Sequence, residues 1–226
     1  MLADFQVWGP FIDGAGRSYC AGVIRQEIKP SIASSIRTYL ETKVHPANCK
    51  PAENGILGSE LLKVIEITDS IGGDLNAAVA IVELMQRYDI AVETWDRGPK
   101  YSKFKCASAC ALIFAGAPRR HYIVGQNDGS VFPPFSSKFG LHKPEFIVPN
   151  NVFKDEVAKE KEYDRLKYRL IELYKKVGVK PQFVIRSFET SSGELFIPRY
   201  IDILLWGVVT SNEPYDPKST FSAYYK

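Results

Sequence analysis

Runs of apolar residues with two different periods alternate along the chain, and they predict strands and helices in turn. Leu61 to Ile67 is a nearly continuous apolar run, typical of a parallel strand that is buried on both faces. The loop Thr68 to Asp74 follows, and then a helix is predicted from about Asn76 to Tyr88, with Asp74 and Asn76 as candidate N-caps. Ile90 to Trp95 is the next strand. This alternation predicts an α/β layered domain with right-handed crossovers.

The chain before this unit has its own strand and helix patterns. Asp4 to Trp8 and Cys20 to Ile28 have strand patterns, with a turn at Gly14-Ala15-Gly16 between them. Pro30 is suited to the first turn of a helix. The helix it opens has four apolar residues at helical spacing on one face: Ile32, Ile36, Tyr39 and Leu40.

The chain after Trp95 contains the most apolar segment. Cys106 to Ala117, CASACALIFAGA, is too small and apolar to lie anywhere but in the core. Tyr122 to Val124 is a short predicted strand, and Phe139 to His142 is predicted to be a strand end. The last third predicts a short helix from Pro181, then a strand, a helix and a final strand: Glu194 to Ile197, Pro198 to Trp206, and Gly207 to Val209.

Between these parts lies a highly charged segment, Val152 to Val177. Apolar residues recur in it at spacings of three and four, which predicts a long amphipathic helix with a narrow apolar seam. Gly178 is a suitable stop for this helix. The seam consists of Tyr163, Leu166, Leu170, Leu173 and Val177. If a monomer leaves the seam uncovered, it predicts a homo-oligomer; packing within the same chain is the alternative.

Composition narrows the possible functions. The net charge of +3 over 226 residues is too small to indicate binding to nucleic acid or to an anionic membrane. The sequence contains no run of about 18 apolar residues, so it predicts no membrane-spanning helix. The first ten residues lack the features of a signal peptide, and this absence leaves the compartment open because a mature or trimmed chain would lack them too. We expect no metal site, since no CxxC pattern occurs and the histidines are scattered.

Four cysteines allow two disulfides in three pairings, with buried free thiols as the alternative. Cys106 and Cys110 are four residues apart, so on a helix they would share a face but reach each other poorly. We therefore expect at least one disulfide from this pair to Cys20 or Cys49. Such a bond would indicate an oxidising compartment, the periplasm or another exported location, with the cytoplasm as the alternative.

Ser108 is the candidate nucleophile. Its small neighbours allow a substrate to approach, and the apolar run that follows places it at a helix N-terminus, where free N–H groups favour negative charge. Gly72-Gly73 follows a buried strand and precedes a helix, where ligand sites of α/β sheets lie. Taken singly, each feature is more often structural: a double glycine is usually a turn, and a serine among alanines usually packs a helix.

Together these segments resemble a known family. EITDSIGGDLNAAVAIVELM, CASACALIFAGAPRR and FGLHKP resemble the double-glycine turn, nucleophile helix and histidine segment of the Clp protease proteolytic subunit. FETSSGELFIPRYIDILLWGVVT resembles its closing segment. The similarity covers about residues 20–210 and is greatest to divergent Clp-like proteins predicted to be periplasmic, whose cysteine-rich SAC motif surrounds the serine.

The resemblance implies a single domain, 1–226, with a ClpP/crotonase-like spiral of βαβ units, a protruding handle helix at about 152–177 and an N-terminal strand extension at 1–19. It implies a serine peptidase-like hydrolase that acts on peptides or proteins without a cofactor. Ile71 stands where the family has proline, and no segment resembles the one that docks its ATPase partner, so we expect none. The implied roles are nucleophile, general base, third triad member and oxyanion hole: Ser108, His142, Glu194, and Gly72 or Gly73 with Ala109.

Alternatives stay open at this point. Glu189 competes with Glu194, while His121 and His45 compete with His142. Lys138 and Lys143 would allow a serine–lysine variant. At the level of function, the alternatives are a catalytically inactive scaffold or binding protein on the same fold and a crotonase-like acyl-CoA enzyme.

Overall fold

A computed structural model of the chain describes residues 5–12, 18–41, 62–96, 106–124, 139–144 and 156–210. Within these ranges the chain forms seven strands and six helices. In chain order they are β1 (Phe5–Ile12), β2 (Ser18–Ile28), α1 (Pro30–Glu41), β3 (Leu62–Gly73), α2 (Leu75–Arg87), β4 (Ala91–Asp96), β5 (Cys106–Ala107), α3 (Ala109–Gly116), β6 (Arg119–Val124), β7 (Phe139–Gly140), α4 (Glu156–Lys175), α5 (Pro181–Glu189) and α6 (Tyr200–Leu205). The α/β class predicted from the sequence is confirmed.

The sheet divides at β3, the longest strand, because the two halves of β3 pair with different neighbours. Its main part has the order β1-β2-β3-β4-β6, in which β1 is antiparallel to β2 and the other neighbours are parallel. The first half of β3 pairs with β4 through Val64 to Glu66. Its second half pairs instead with β5, at Ser70 and Cys106, and β5 pairs with β7. The branch β3-β5-β7 therefore leaves the main sheet, and it carries the candidate site.

Apolar faces of the helices cover the main sheet as their spacing predicts. The four predicted apolar positions of α1 are all buried: Ile32, Ile36, Tyr39 and Leu40. Every residue of α3 is buried, in agreement with the core position predicted for this segment. Helix α2 begins at Leu75 after Asp74, whose carboxylate accepts the Ala77 N–H at 2.7 Å, so the N-cap predicted at Asp74 is confirmed.

Three sequence predictions differ from the structure. Most of the predicted loop Thr68 to Asp74 is strand, because β3 continues to Gly73 and pairs there with Ile28 of β2. The strand predicted at Glu194 to Ile197 is reduced to one bridge between Phe196 and Leu141. Gly207 to Val209 is not a strand, since Gly207 has a φ of +70° and the segment's carbonyl groups are used by a buried arginine.

The charged helix packs against its own chain. Tyr163 of α4 contacts the ring of Phe188 in α5, and Tyr174 contacts the ring of Phe183. The Tyr174 hydroxyl donates to the Leu112 carbonyl of α3 at 3.1 Å, and burial raises the pKa of Tyr174, so it stays a donor. Leu170 and Leu173 are buried as well.

The apolar seam is therefore largely covered within the chain. This is the alternative to a homo-oligomer that the sequence left open. The homo-oligomer stays a prediction, which light scattering can check. In the described part of the chain, no helix combines the length and apolar character needed to span a bilayer. Several predictions lie outside the described residues: the turn at Gly14 to Gly16, His45, Cys49, Lys138 and the first turn of the predicted charged helix.

Candidate active site

The carboxyl ends of three parallel strands meet at the candidate site. Strand β3 ends at Gly72-Gly73, Ser108 follows β5 directly, and His142 lies two residues after β7. Ala107 and Gly140 are register partners, and the Ser108 N–H donates to the Gly140 carbonyl at 2.8 Å. Because neighbouring strands are about 4.8 Å apart, this register alone brings the segments of Ser108 and His142 to one edge.

Ser108 sits on a sharp turn between strand and helix. It has φ 54° and ψ −123°, a conformation that glycine adopts readily and other residues rarely. Holding a serine there costs about 1–3 kcal/mol. In the described residues one other non-glycine residue, Asp89, has a positive φ, and it follows a helix end, where such residues are common. Hydrolases of the α/β class hold their nucleophile on a strained turn of the same kind.

The two glycines allow β3 to approach this turn closely. A Cβ atom on Gly72 would lie 2.6 Å from the Ser108 Cβ and 2.8 Å from the Ala107 carbonyl oxygen. A Cβ atom on Gly73 would lie 2.2 Å from the Ile28 carbonyl oxygen. Both glycines also have a positive φ, +103° and +142°. Gly72 is thus required for contact with the serine turn, and Gly73 for contact with β2.

Replacing Gly72 by alanine should destabilise the fold by about 2–4 kcal/mol, because overpacking adds to the strain of a positive φ. Urea unfolding measures this change. Gly193→Ala is the matched control, since a Cβ there would meet nothing within 4 Å. A Gly72→Ala protein as stable as the control would show that the close approach to Ser108 is not required.

Residues predicted to supply oxyanion-hole N–H groups lie at the same cleft as Ser108. Helix α3 begins at Ala109, so the Ala109 N–H has no acceptor within the helix. Gly73 and Ala109 both line the cleft that contains Ser108. Gly72 is buried, and its N–H points to the Ser70 hydroxyl at 3.3 Å. Of the three predicted oxyanion-hole residues, Gly73 and Ala109 are therefore the better placed.

His142 is half-buried at the same cleft, and its orientation is set by its neighbour. Its Nδ1 lies 2.9 Å from the Lys143 carbonyl oxygen. Because a carbonyl only accepts, Nδ1 carries the proton, and Nε2 keeps the lone pair of a general base. The Lys143 N–H in turn donates to the Thr190 carbonyl at 2.8 Å, which ties this segment to the end of α5.

The predicted third triad member is not brought to His142. Glu194 is exposed in a turn, with its N–H on the Ser191 carbonyl, and Glu189 is paired with Arg186 at 3.1 Å. Between these described residues no hydrogen bond or ion pair joins His142 to either glutamate. The Lys143 carbonyl takes the position on Nδ1 that a carboxylate would otherwise occupy, and a backbone acceptor of this kind leaves no trace in side-chain identity. The role of Glu194 stays a prediction.

The competing bases are engaged elsewhere. Lys143 directs its Nζ to the Tyr163 ring, 3.8 Å from the centroid, and to Glu160 at 3.5 Å. His121 pairs with Glu93 of the neighbouring strand at 3.7 Å. Neither lines the cleft with Ser108, so among the described residues His142 is the base best placed to serve it.

Ser108 and His142 open onto a cleft of about 690 Å³ between the sheet branch and helices α4 and α5. Six of the residues that line it have large apolar side chains that bear on substrate binding: Ile71, Leu75, Leu112, Leu141, Leu166 and Phe188. Ile71, 72% exposed, is the most open of them. The two arginines of the lining are paired, Arg165 with Glu162 at 3.1 Å and Arg169 with Glu83 at 3.3 Å. The cleft can therefore hold an apolar group beside the hydroxyl.

A disulfide joins Cys106 to Cys110 on either side of Ser108. The prediction that Cys106 or Cys110 takes part in a disulfide is confirmed, but the partner expected for it, Cys20 or Cys49, is wrong, because the two cysteines bond to each other. The two cysteines do not share a helix: Cys106 is in β5, the chain turns at Ser108, and Cys110 is in α3, so their Cα atoms are 5.1 Å apart, well within disulfide range. Cys20 is disulfide-bonded too.

In the described ranges, no cluster of three or more histidine, cysteine or acidic side chains is arranged to hold a metal ion. The site described above offers a serine hydroxyl, an imidazole and backbone N–H groups. The chain matches no protein-family model and no curated protein.

Proposed function

We propose that the protein is a serine hydrolase of the peptidase type that works by acyl transfer without an ATPase partner. The observation that carries the proposal is the strained turn of Ser108, which lines one cleft with His142. A positive φ at a serine with an ordinary packing role would be destabilising without benefit, whereas exposure of a nucleophile at a strand–helix turn requires it.

In the proposed reaction the Ser108 Oγ attacks an acyl carbonyl carbon, and Nε2 of His142 takes the hydroxyl proton. The carbonyl oxygen becomes an oxyanion, for which the N–H groups of Gly73 and Ala109 are the donors. When the tetrahedral species collapses, the bond to the amine breaks and Nε2 gives that amine its proton. Water, deprotonated by the same nitrogen, then hydrolyses the acyl-serine ester and regenerates the hydroxyl.

The cleft supports peptide or protein substrates with an apolar side chain next to the scissile bond. Ile71, Leu112 and Phe188 line the same cleft as Ser108, and burial of an apolar side chain contributes roughly 1.5–3 kcal/mol to binding. The β3-β5-β7 branch and the helix α4 fit a ClpP/crotonase-like arrangement, which we propose as the finer description of the fold.

The disulfides support an exported location, such as the periplasm, because disulfides persist in oxidising compartments and are rare where thiols are kept reduced. Cys20, Cys106 and Cys110 are all oxidised. Thiol titration of the unfolded, unreduced protein checks the bonds, and a full complement of free thiols would count against export.

Labelling of the wild-type protein by a fluorophosphonate tests the proposed function. We expect one covalent adduct, which mass spectrometry of peptides places on Ser108. An inert, well-folded protein that also fails to hydrolyse small acyl esters would replace the proposal by an inactive scaffold or binding protein. The observation in favour of that second function is the exposed Glu194, which leaves His142 without a carboxylate among the described residues.

A further inference from the structure

The disulfide between Cys106 and Cys110 closes a five-residue ring with Ser108 at its centre. Both cysteines are buried, and their Cα atoms are 5.1 Å apart. In an extended strand, four residue steps would span about 14 Å. The bond therefore excludes any extended path through Ala107, Ser108 and Ala109 and keeps the chain turned at the serine.

Other constraints on Ser108 come from the main chain alone. Its N–H donates to the Gly140 carbonyl, and its carbonyl accepts the Leu112 N–H at 3.1 Å. Its hydroxyl makes no capping bond to the helix. The hydroxyl that must face the cleft thus depends on a backbone conformation that serine disfavours, held by two main-chain bonds and the ring.

A disulfide that encloses so short a loop contributes little to the free energy of unfolding, because it restricts the unfolded chain only slightly. Its loop-closure effect grows with the number of residues enclosed, and only four positions separate these cysteines. A bond that served overall stability would connect distant segments. The placement of this one favours a local role instead.

We propose that the Cys106–Cys110 disulfide is a positioning element that keeps Ser108 in its positive-φ turn at the cleft. The inference rests on the proposed function for its catalytic consequence, but its structural part can be measured in an inert protein. Cys106 and Cys110 touch no substrate; they act through Ser108. Without the bond the turn relaxes, and the reactive fraction of the serine falls, which lowers the rate and leaves the cleft's affinity unchanged.

The test compares two double variants, each of which replaces two of the four cysteines. Cys106→Ala with Cys110→Ala removes the bond around Ser108. Cys20→Ala with Cys49→Ala is the control, because Cys20 lies eight residues before Ile28 on β2, about 26 Å from the end that meets Gly73. In the first variant we expect kinact for a fluorophosphonate to fall about tenfold or more with KI within about twofold. In the control both should stay near wild type.

Hydrogen exchange of backbone amides gives a readout that needs no activity. The Ser108 and Leu112 amides should exchange at least about tenfold faster in the Cys106/Cys110 variant, with the amides of α2 and α5 unchanged. Unchanged exchange at Ser108, or equal losses in both double variants, would overturn the inference. An inert wild-type protein would overturn the proposed function, and exchange at Ser108 would still decide the role of the disulfide.

Should the first variant not fold, the Cys20/Cys49 variant allows the bond around Ser108 to be reduced alone. Dithiothreitol supplies two electrons and two protons, becomes a cyclic disulfide, and leaves two thiols at Cys106 and Cys110. Alkylation and mass measurement establish that reduction has occurred. The expected exchange and labelling changes are the same, and reduced protein that keeps both wild-type values would contradict the inference.

Discussion

Replacing His142 by alanine should lower the rate of acylation at Ser108 by about 10²–10⁴-fold, because the hydroxyl loses the group that takes its proton. Ser108→Ala should abolish labelling altogether, because the other serines of the cleft lining are Ser187, whose hydroxyl donates to the Phe183 carbonyl at 3.1 Å, and Ser192, which lies in the turn after α5. The rate is measured as kinact/KI for a fluorophosphonate and as hydrolysis of a small acyl ester. Unfolding curves must show that each variant keeps its fold.

Glu194→Gln separates the two ways of orienting His142. If the Lys143 carbonyl holds Nδ1, as its distance of 2.9 Å indicates, the Glu194 variant should stay within about threefold of wild type. If Glu194 moves to His142 when substrate binds, the loss of acylation rate should approach the roughly 10⁴-fold that removal of a triad carboxylate causes.

A His142→Ala protein that is acylated at the wild-type rate would rule out the proposed base.

Sequence patterns predicted the elements whose signals lie within a short stretch of the chain. The apolar faces of α1 and α2 and the wholly apolar α3 follow from residue spacing alone, and the N-cap at Asp74 is a short-range signal. Ser108 and the glycine pair could be singled out because small residues mark places where backbones approach closely. These features needed no knowledge of what lies opposite in the fold.

Pairing between distant segments could not be predicted in the same way. Strand β3 extends through the predicted loop because Ser70 meets Cys106, 36 positions later in the sequence, and that contact creates the branch that carries the site. Cys106 lies in the short strand β5 and so outside the helix, which brings it within disulfide range of Cys110. The Lys143 carbonyl was missed because every residue carries a carbonyl group.

Arg120 is the clearest example of a buried residue that the sequence did not predict. It stands beside Arg119 in a pair that has the appearance of a charged surface, yet Arg120 is 2% exposed. Successive residues of a strand face opposite sides, so one member of the pair points inward. What makes this tolerable is a set of carbonyl groups from chain positions up to 88 residues away, which no local pattern reports.

The Arg120 guanidinium joins the C-terminal ends of three helices. Its Nη1 donates to the carbonyls that follow α3, its Nη2 to one after α4 and one after α6, and its Nε to another after α6. The acceptors are the carbonyls of Ala117, Pro118, Val177, Gly207 and Val208. Burial lowers the pKa of Arg120 to about 10, which is still far above neutrality, so the group stays charged. A positive charge at helix C-termini also opposes the negative end of each helix dipole.

Arg120→Met should lower the free energy of unfolding by about 3–5 kcal/mol, because methionine fills similar space but leaves buried carbonyls without donors. For a chain of this size that corresponds to a fall in Tm of roughly 10 °C. Arg119→Met is the matched control: Arg119 is half exposed and pairs with Asp89 at 3.2 Å, an interaction worth at most about 1 kcal/mol. Urea unfolding of both variants, with m compared to wild type, measures the difference. Equal stability of the two would mean that the guanidinium does not hold the helix ends, since the substitution is the same and the two sites differ in burial and in their hydrogen bonds.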